Sequence, residues 1–143
     1  MAYLIYSILP NPRRPVVFVD HKVPVIDCVR MMNDQNIGAL VVRKGHTIQG
    51  LVSERDVVRS CVLQGKDPLT TPVGDIAFKD FSTLDINESV ETAMQTITNT
   101  RRRHLLVTEH GDLVAMLSIG DVLLHLLEDR ARHIQHLENY ITT

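Results

Sequence analysis

The amino-acid sequence predicts a mixed α/β (α+β) fold in which one β-α-β-β-α unit occurs twice and an extended helix follows. Three observations predict it. A nine-residue segment, GLVSERDVV at 50–58, returns in altered form as AMLSIGDVL at 115–123. Apolar residues follow strand and helix spacing in the same order in both halves. A seven-residue apolar spacing then continues toward the C-terminus.

The repeat has an offset of 65 residues, since Ser53 returns as Ser118 and Asp56 returns as Asp121. At the same offset apolar residues match apolar residues: Leu40 pairs with Leu105, Val42 with Val107 and Ile48 with Leu113. A shared pattern of apolar positions indicates that both copies bury the same faces. We therefore expect two units of one fold.

In the first copy, short apolar runs and turn signals define five elements. We expect a strand at 16–20, a helix at 25–36, strands at 39–43 and 47–53, and a helix from 54 to about 63. Val25, Val29 and Met32 lie on one face of the first helix. Gly45 predicts the turn of a hairpin, and Gly65 predicts the end of the second helix.

The second copy has the same order of elements, and its closing helix is longer. We expect strands at 82–85, 104–108 and 113–118, a helix at 88–99 and a last helix from 119 onward. In that helix Leu127, Ile134 and Ile141 are spaced by seven residues, which favours packing against an apolar partner. The expected segments are a first repeat with its N-terminal segment at 1–65, a linker with one helical turn at 66–81, a second repeat at 82–127 and a helical extension at 128–143.

Composition disfavours several classes of protein. The hydrophobic fraction of 44% and the charged fraction of 22% suit a folded chain. The net charge of −2 gives no general attraction to nucleic acid or to an acidic membrane. No apolar run approaches the ~20 residues that cross a bilayer, and the apolar start has no basic leader or cleavage pattern. Cys28 and Cys61 lie in apolar helical segments, which suits reduced thiols and predicts a cytoplasmic protein.

Four segments carry a resemblance to a known family. In sequence and position they resemble the cystathionine-β-synthase (CBS) domain, which occurs in tandem pairs. The segments are NIGALVV, GLVSERDVVRS, RRHLLV and LSIGDVL. The resemblance covers residues 15–127, and the tail resembles free-standing bacterial proteins that consist of one such pair. It implies a pseudo-twofold pair of repeats with two clefts, in which family members bind AMP, ADP, ATP, S-adenosylmethionine or NAD.

Ser53 and Asp56, at the start of a helix, are candidates for holding a ribose phosphate, as are Ser118 and Asp121 in the second repeat. The free N–H groups of a helix start attract phosphate, and a carboxylate one turn later can accept hydrogen bonds from both ribose hydroxyls. Ser-x-x-acid is also a capping box, which needs no ligand. Both roles are compatible, because a capped first turn also orients the carboxylate.

Basic residues near both helix starts are candidates for phosphate contact. In the run RRRH at 101–104 we select Arg103 and His104 first and Arg102 next, because a guanidinium binds phosphate bidentately. Arg55 is a further candidate in the first repeat. The alternative for all four is a solvated turn or helix surface. The first repeat has uncharged residues at the places of this run, so the two clefts are expected to be unequal.

The adenine ring is expected against the opening strand of each repeat, where backbone groups can pair with the base edge. The candidate residues on these strands are Val17, Val19, Thr83 and Leu84. Only Thr83 offers a side-chain hydrogen bond, and as a β-former it also suits a strand without a ligand. Gly50 completes the helix-start motif of the first repeat, and Ala115 makes the second side slightly bulkier.

Metal binding and catalysis are not expected. His125, His133 and His136 lie in the last helix, but no Cys-x-x-Cys or His-Glu-x-x-His pattern is present. Neither cysteine has an evident histidine partner, and no Gly-x-Ser-x-Gly elbow occurs. We expect no enzyme and no required cofactor.

Two functional hypotheses follow. In the first, the chain is a regulatory sensor that binds an adenine nucleotide (AMP, ADP or ATP, with NAD or S-adenosylmethionine as alternatives) and acts through a homodimer or an unidentified protein effector. In the second, the chain is a dimeric interaction scaffold that binds no ligand. The sequence leaves open which nucleotide binds, whether one or both clefts are occupied, and whether the dimer is head-to-head or head-to-tail.

Overall fold

The computed structural model describes residues 3–142, so residues 1, 2 and 143 of the expected terminal segments lie outside it. The first repeat contains β1 (Phe18–Asp20), α1 (Val25–Gln35), β2 (Ala39–Lys44), β3 (Thr47–Ser53) and α2 (Glu54–Asp56), which continues as a π-helix over Val57–Val62. The second contains β4 (Thr83–Asp85), α3 (Val90–Thr100), β5 (His104–Glu109), β6 (Asp112–Ser118) and α4 (Ile119–Thr142). The expected order of elements and the long last helix are confirmed.

Each repeat forms one three-stranded sheet, and the two sheets have the same topology. In the first sheet β1 is parallel to β2, and β2 is antiparallel to β3; β4, β5 and β6 pair in the same way. A register shift falls between Val42 and Arg43 in the first hairpin and between Val107 and Thr108 in the second. These positions match at the repeat offset, so the two sheets have the same irregularity in their hydrogen bonding at the same place.

Each repeat has its own apolar core between its sheet and its helices. The buried residues that α1 and α3 contribute match at the repeat offset: Val25, Cys28 and Met32 in α1, and Val90, Ala93 and Ile97 in α3. Cys28 and Cys61 are free thiols and both are buried. Burial, with a smaller contribution from the nearby Asp27 carboxylate, raises the pKa of the Cys28 thiol to about 11.

The first repeat differs from expectation at two places. The opening strand begins at Phe18 rather than at residue 16. The helix after Ser53 changes to π geometry, in which the Leu63 N–H donates to the Val58 carbonyl at 2.9 Å, five residues back. Within this wider turn Val57 and Cys61 are both buried in the first core.

The N-terminal arm, residues 3–14, packs on the second repeat, whereas the expected boundaries grouped it with the first. Ile5 is fully buried in the second core, and its N–H donates to the Glu88 carbonyl at 2.9 Å. The Val90 N–H donates to the Tyr3 carbonyl at 2.8 Å. The Tyr3 hydroxyl donates to Asp129 Oδ1 at 2.8 Å, and this hydrogen bond lowers the pKa of the Asp129 carboxyl.

The linker completes the first repeat in the same manner. Val73 is fully buried in the first core, and its N–H donates to the Val23 carbonyl at 2.8 Å. The Val25 N–H donates to the Thr71 carbonyl at 2.9 Å. The arm, which precedes β1 in the chain, therefore completes the second repeat, and the linker, which precedes β4, completes the first. Sequence order alone does not show this exchange.

Replacing Ile5 with alanine should lower the free energy of unfolding by about 2–5 kcal/mol, because it removes a fully buried side chain and leaves a cavity. Tyr6 lies in the same turn but is 54% exposed, so Tyr6→Ala is the matched control, with an expected change within about 0.5 kcal/mol. Urea denaturation measures both. Equally small losses for the two variants would show that the arm is not part of the second core.

Candidate functional site

The first hairpin ends where α2 begins, and this junction holds Ser53 and Asp56 against each other. The Ser53 N–H donates to Asp56 Oδ2 at 2.8 Å, and the Ser53 hydroxyl donates to the same oxygen at 2.9 Å. The Asp56 N–H donates to Ser53 Oγ at 3.3 Å, which completes a capping box. Asp56 is only 6% exposed, so its carboxylate has a fixed orientation at the helix start.

The second hairpin ends with the same two reciprocal hydrogen bonds between a serine and an aspartate. The Ser118 N–H donates to Asp121 Oδ2 at 2.9 Å, and the Asp121 N–H donates to Ser118 Oγ at 3.1 Å. The second carboxylate oxygen, Oδ1, accepts a hydrogen bond from the Arg14 guanidinium at 2.8 Å. Both aspartates are thus turned toward their own helix starts, and the second also binds a cation from the arm.

Gly50 has a structural role in the first hairpin. A Cβ at this position would lie 2.5 Å from the backbone oxygen of Phe78. Beside it, Leu51 and Phe78 exchange two backbone hydrogen bonds, of 2.9 and 2.7 Å. The close approach of the linker to β3 therefore requires glycine. Ala115 shows that the second hairpin accommodates a side chain at the corresponding position.

The structure brings the basic run against the second helix start. His104 pairs directly with Ser118 across β5 and β6. The Ile119 N–H, the first of α4, donates to the Arg103 carbonyl at 2.8 Å. Arg101, the first residue of the run, ends α3 with a positive φ of 57° and so has a structural role there. Among the basic candidates, Arg103 and His104 are therefore the two whose backbone lies directly beside Ser118 and the start of α4.

In the first repeat the corresponding places hold uncharged residues. Ala39 pairs with Ser53 across β2 and β3, and the Glu54 N–H donates to the Gly38 carbonyl at 3.2 Å. Arg55, exposed in the first turn of α2, is the basic candidate on this side. The expected inequality of basic residues around the two motifs is present in the structure.

The opening strands are edge strands of their sheets, β1 in the first and β4 in the second. The Val17 carbonyl accepts from the Val41 N–H at 3.0 Å, and the Ser82 carbonyl accepts from the Leu106 N–H at 2.9 Å. These two carbonyls are used within the sheets. Pairing with a base edge would therefore fall to backbone groups on the outer side of β1 and β4.

The candidate side chains on these strands have different surroundings. Val19 is buried in the first core, Val17 packs against that core, and Leu84 packs against the second core. Thr83 is exposed. Of the four, Thr83 is the side chain that is available for a polar contact with a ligand.

Residues 3–142 contain neither a cluster of metal-binding side chains nor a helix suited to crossing a membrane. No group of three or more His, Cys, Asp or Glu side chains in this range is arranged to hold a metal ion. Within the same residues, no helix combines the length and apolar character that crossing a membrane requires.

The family assignment follows from comparison with known proteins. The model of the CBS domain family matches residues 5–62 and again residues 73–128. The chain belongs to the CBS-domain family. It carries two CBS domains in tandem, which confirms the resemblance seen in the sequence, and each match contains the three strands of one structural repeat.

Relatives and solved structures agree with this assignment. CBSX3, a mitochondrial CBS domain-containing protein of Arabidopsis thaliana, is 34% identical over 122 residues, which cover 82% of this chain and 59% of CBSX3. A putative signal-transduction protein with CBS domains from Burkholderia ambifaria has 32% identity and a TM-score of 0.83, covering 90% of this chain and 96% of that one. The CBS domain protein NE2398 has 31% identity and a TM-score of 0.82, covering 89% and 99%.

A more distant solved structure bears on assembly. The hexameric CBS-CP12 protein from bloom-forming cyanobacteria has 25% identity and a TM-score of 0.76, covering 87% of this chain and 72% of that one. Self-association therefore occurs among the structural neighbours of this chain.

Gly50→Ala should lower the free energy of unfolding by about 1–3 kcal/mol, because the added methyl group meets the Phe78 backbone. The reverse change at the corresponding position, Ala115→Gly, is the comparison and should cost about 1–2 kcal/mol, because it removes a buried methyl group and adds strand flexibility without a steric clash. Chemical denaturation measures both. Unchanged stability of Gly50→Ala would contradict the close approach of linker and strand.

Proposed function

We propose that this chain is a regulatory CBS-pair protein whose repeats bind an adenine nucleotide of the AMP, ADP or ATP type. The observation that carries the proposal is the helix start that occurs twice, with a serine and an aspartate held in the same reciprocal hydrogen bonds. Proteins with CBS pairs are generally regulatory, which supports a role in sensing rather than in catalysis.

The chemistry of the motif suits a ribose. A carboxylate accepts charge-assisted hydrogen bonds from hydroxyl groups, and two neighbouring hydroxyls can bind to one carboxylate. Ser53 and Ser118 already orient Asp56 and Asp121. Ligand binding therefore avoids the entropy cost of ordering a mobile side chain. The ribose diol is common to AMP, ADP, ATP and NAD, which is why the proposal names a class of ligand.

Phosphate and base contacts come from different residues in the two repeats. Arg55 would contact phosphate in the first repeat, and Arg103, His104 and Arg102 in the second. The adenine edge would pair with the outer backbone of β1 or β4, with Thr83 as an additional hydrogen-bonding side chain in the second repeat. The larger basic set favours ligands with more phosphates in the second repeat.

We further propose that the protein is a cytoplasmic homodimer associated through α4. Leu127, Ile134 and Ile141 recur every seven residues on this helix and are 67%, 49% and 80% exposed. A long apolar stripe in contact with water favours association with a matching stripe. The two buried free thiols suit a reducing compartment.

One observation favours a second candidate function, a dimeric scaffold that binds no ligand. The capping box gives Ser53 and Asp56 a structural role without any nucleotide. In that case nucleotides should leave the thermal stability of the protein unchanged, while the apolar stripe of α4 should still support a dimer.

Asp56→Asn and Asp121→Asn should each remove one nucleotide site, and the double variant should bind AMP at least about tenfold more weakly than the wild type. Asparagine keeps an acceptor oxygen for the cap but loses the charge that strengthens the ribose contact. Isothermal titration with AMP measures affinity and stoichiometry. Asp112→Asn, at the exposed first residue of β6, is the control and should bind as the wild type does. No binding of AMP, ATP, NADH or S-adenosylmethionine by the wild type at millimolar concentration would overturn the proposal in favour of the scaffold.

Ile134→Glu should weaken the dimer at least about tenfold, because it places a charge in the apolar stripe. Gln135→Glu introduces the same charge at a neighbouring exposed position of α4 and should leave the dimer intact. Sedimentation equilibrium measures both. A monomeric wild type, or equal dissociation of the two variants, would refute association through the stripe.

A further inference from the structure

The Asp121 carboxylate makes a contact with the N-terminal arm that the sequence repeat does not predict. Asp121 Oδ1 accepts a hydrogen bond of 2.8 Å from the Arg14 guanidinium, while Asp121 Oδ2 accepts from the Ser118 N–H at 2.9 Å. Both carboxylate oxygens are therefore engaged. The side chain of Asp121 is 19% exposed and that of Arg14 is 61% exposed, so the ion pair is accessible to solvent and to a ligand.

The arm holds Arg14 in this position. Ile5 anchors one end of the arm in the second core, and Ile8 and Leu9 pack against the same core. Between this anchor and β1 the chain contains Pro10, Pro12 and Pro15, which restrict the backbone on both sides of the arginine. A tethered and restricted cation returns to the carboxylate more readily than a free ion of the same charge does.

We propose that Arg14 is an internal competitor for the ligand at Asp121, so that the second repeat binds nucleotide more weakly than its motif alone would allow. This inference rests on the proposed binding of nucleotide and assigns a regulatory residue to one of the two sites.

The competition follows from what the carboxylate would exchange. A ribose hydroxyl that binds Oδ1 must approach to about the distance at which the guanidinium nitrogen now lies. It would replace a cation with a neutral donor, and hydrogen bonds between two charged groups are the stronger kind. Arginine remains charged throughout, so it does not leave the carboxylate by losing a proton. A ligand hydroxyl that takes the position of the guanidinium on Oδ1 must therefore displace Arg14 against this attraction.

Arg13 provides a matched control in the same arm. Its guanidinium lies 3.4 Å from Glu109 Oε2, and both of these side chains are exposed. Removing either arginine changes the net charge of the protein by the same amount. Of the two arginines, Arg14 is the one paired with the aspartate of the motif, so only its removal breaks that ion pair.

The test measures AMP binding by isothermal titration in an Asp56→Asn background, which leaves only the second repeat as a site. Adding Arg14→Ala should tighten binding about three- to fivefold, the effect expected for a partly exposed ion pair. Adding Arg13→Ala should leave the affinity unchanged. In 1 M salt the gain from Arg14→Ala should disappear, because salt screens the ion pair.

Each other outcome has a definite meaning. Weaker binding by the Arg14→Ala protein would make Arg14 a ligand contact and overturn the competition. Equal affinity with and without Arg14, or no binding in the Asp56→Asn background while the wild type still binds AMP, would also overturn it and leave the proposed function standing. No binding by the wild type would refute the proposed function, and the inference with it.

Discussion

At the start of the helix that follows each hairpin, a serine and an aspartate three residues later exchange hydrogen bonds through their side chains and backbone N–H groups. This contact ends the last strand, begins the helix and fixes the carboxylate in one step. The site depends on it because the carboxylate that would bind a ribose is the one that caps the helix. In the proposed function, helix capping and ligand binding would therefore depend on the same pair of residues in each repeat.

A second structural feature is the way in which the arm and the linker pack on the two repeats. Each repeat is completed by the segment that precedes the opening strand of the other, the N-terminal arm on the second repeat and the linker on the first. The linker requires Gly50 where it meets β3, while the arm carries Arg14 to Asp121. These segments look like connections in the sequence, yet they contribute core residues, backbone hydrogen bonds and a charge beside the motif.

The features that could be predicted from the sequence are local ones. Apolar spacing and turn residues identified the β-α-β-β-α order, and the internal repeat drew attention to Ser53, Asp56 and their counterparts. Packing of Ile5 in the second core and the Arg14–Asp121 ion pair could not be predicted, because they join residues that lie far apart in the chain. Gly50 was interpreted as part of a ligand motif, and its contact with Phe78 became visible only in three dimensions.

The central claim is that the capped helix starts are where an adenine nucleotide binds. Two-dimensional ¹H–¹⁵N NMR spectra of the protein during addition of AMP test it most directly, since they report on every backbone amide at once. We expect the amides of Ser53, Asp56, Ser118 and Asp121 to shift most, together with those of the edge strands β1 and β4. Shifts confined to the exposed part of α4, or saturating spectral changes that leave all four of these amides in place, would contradict it.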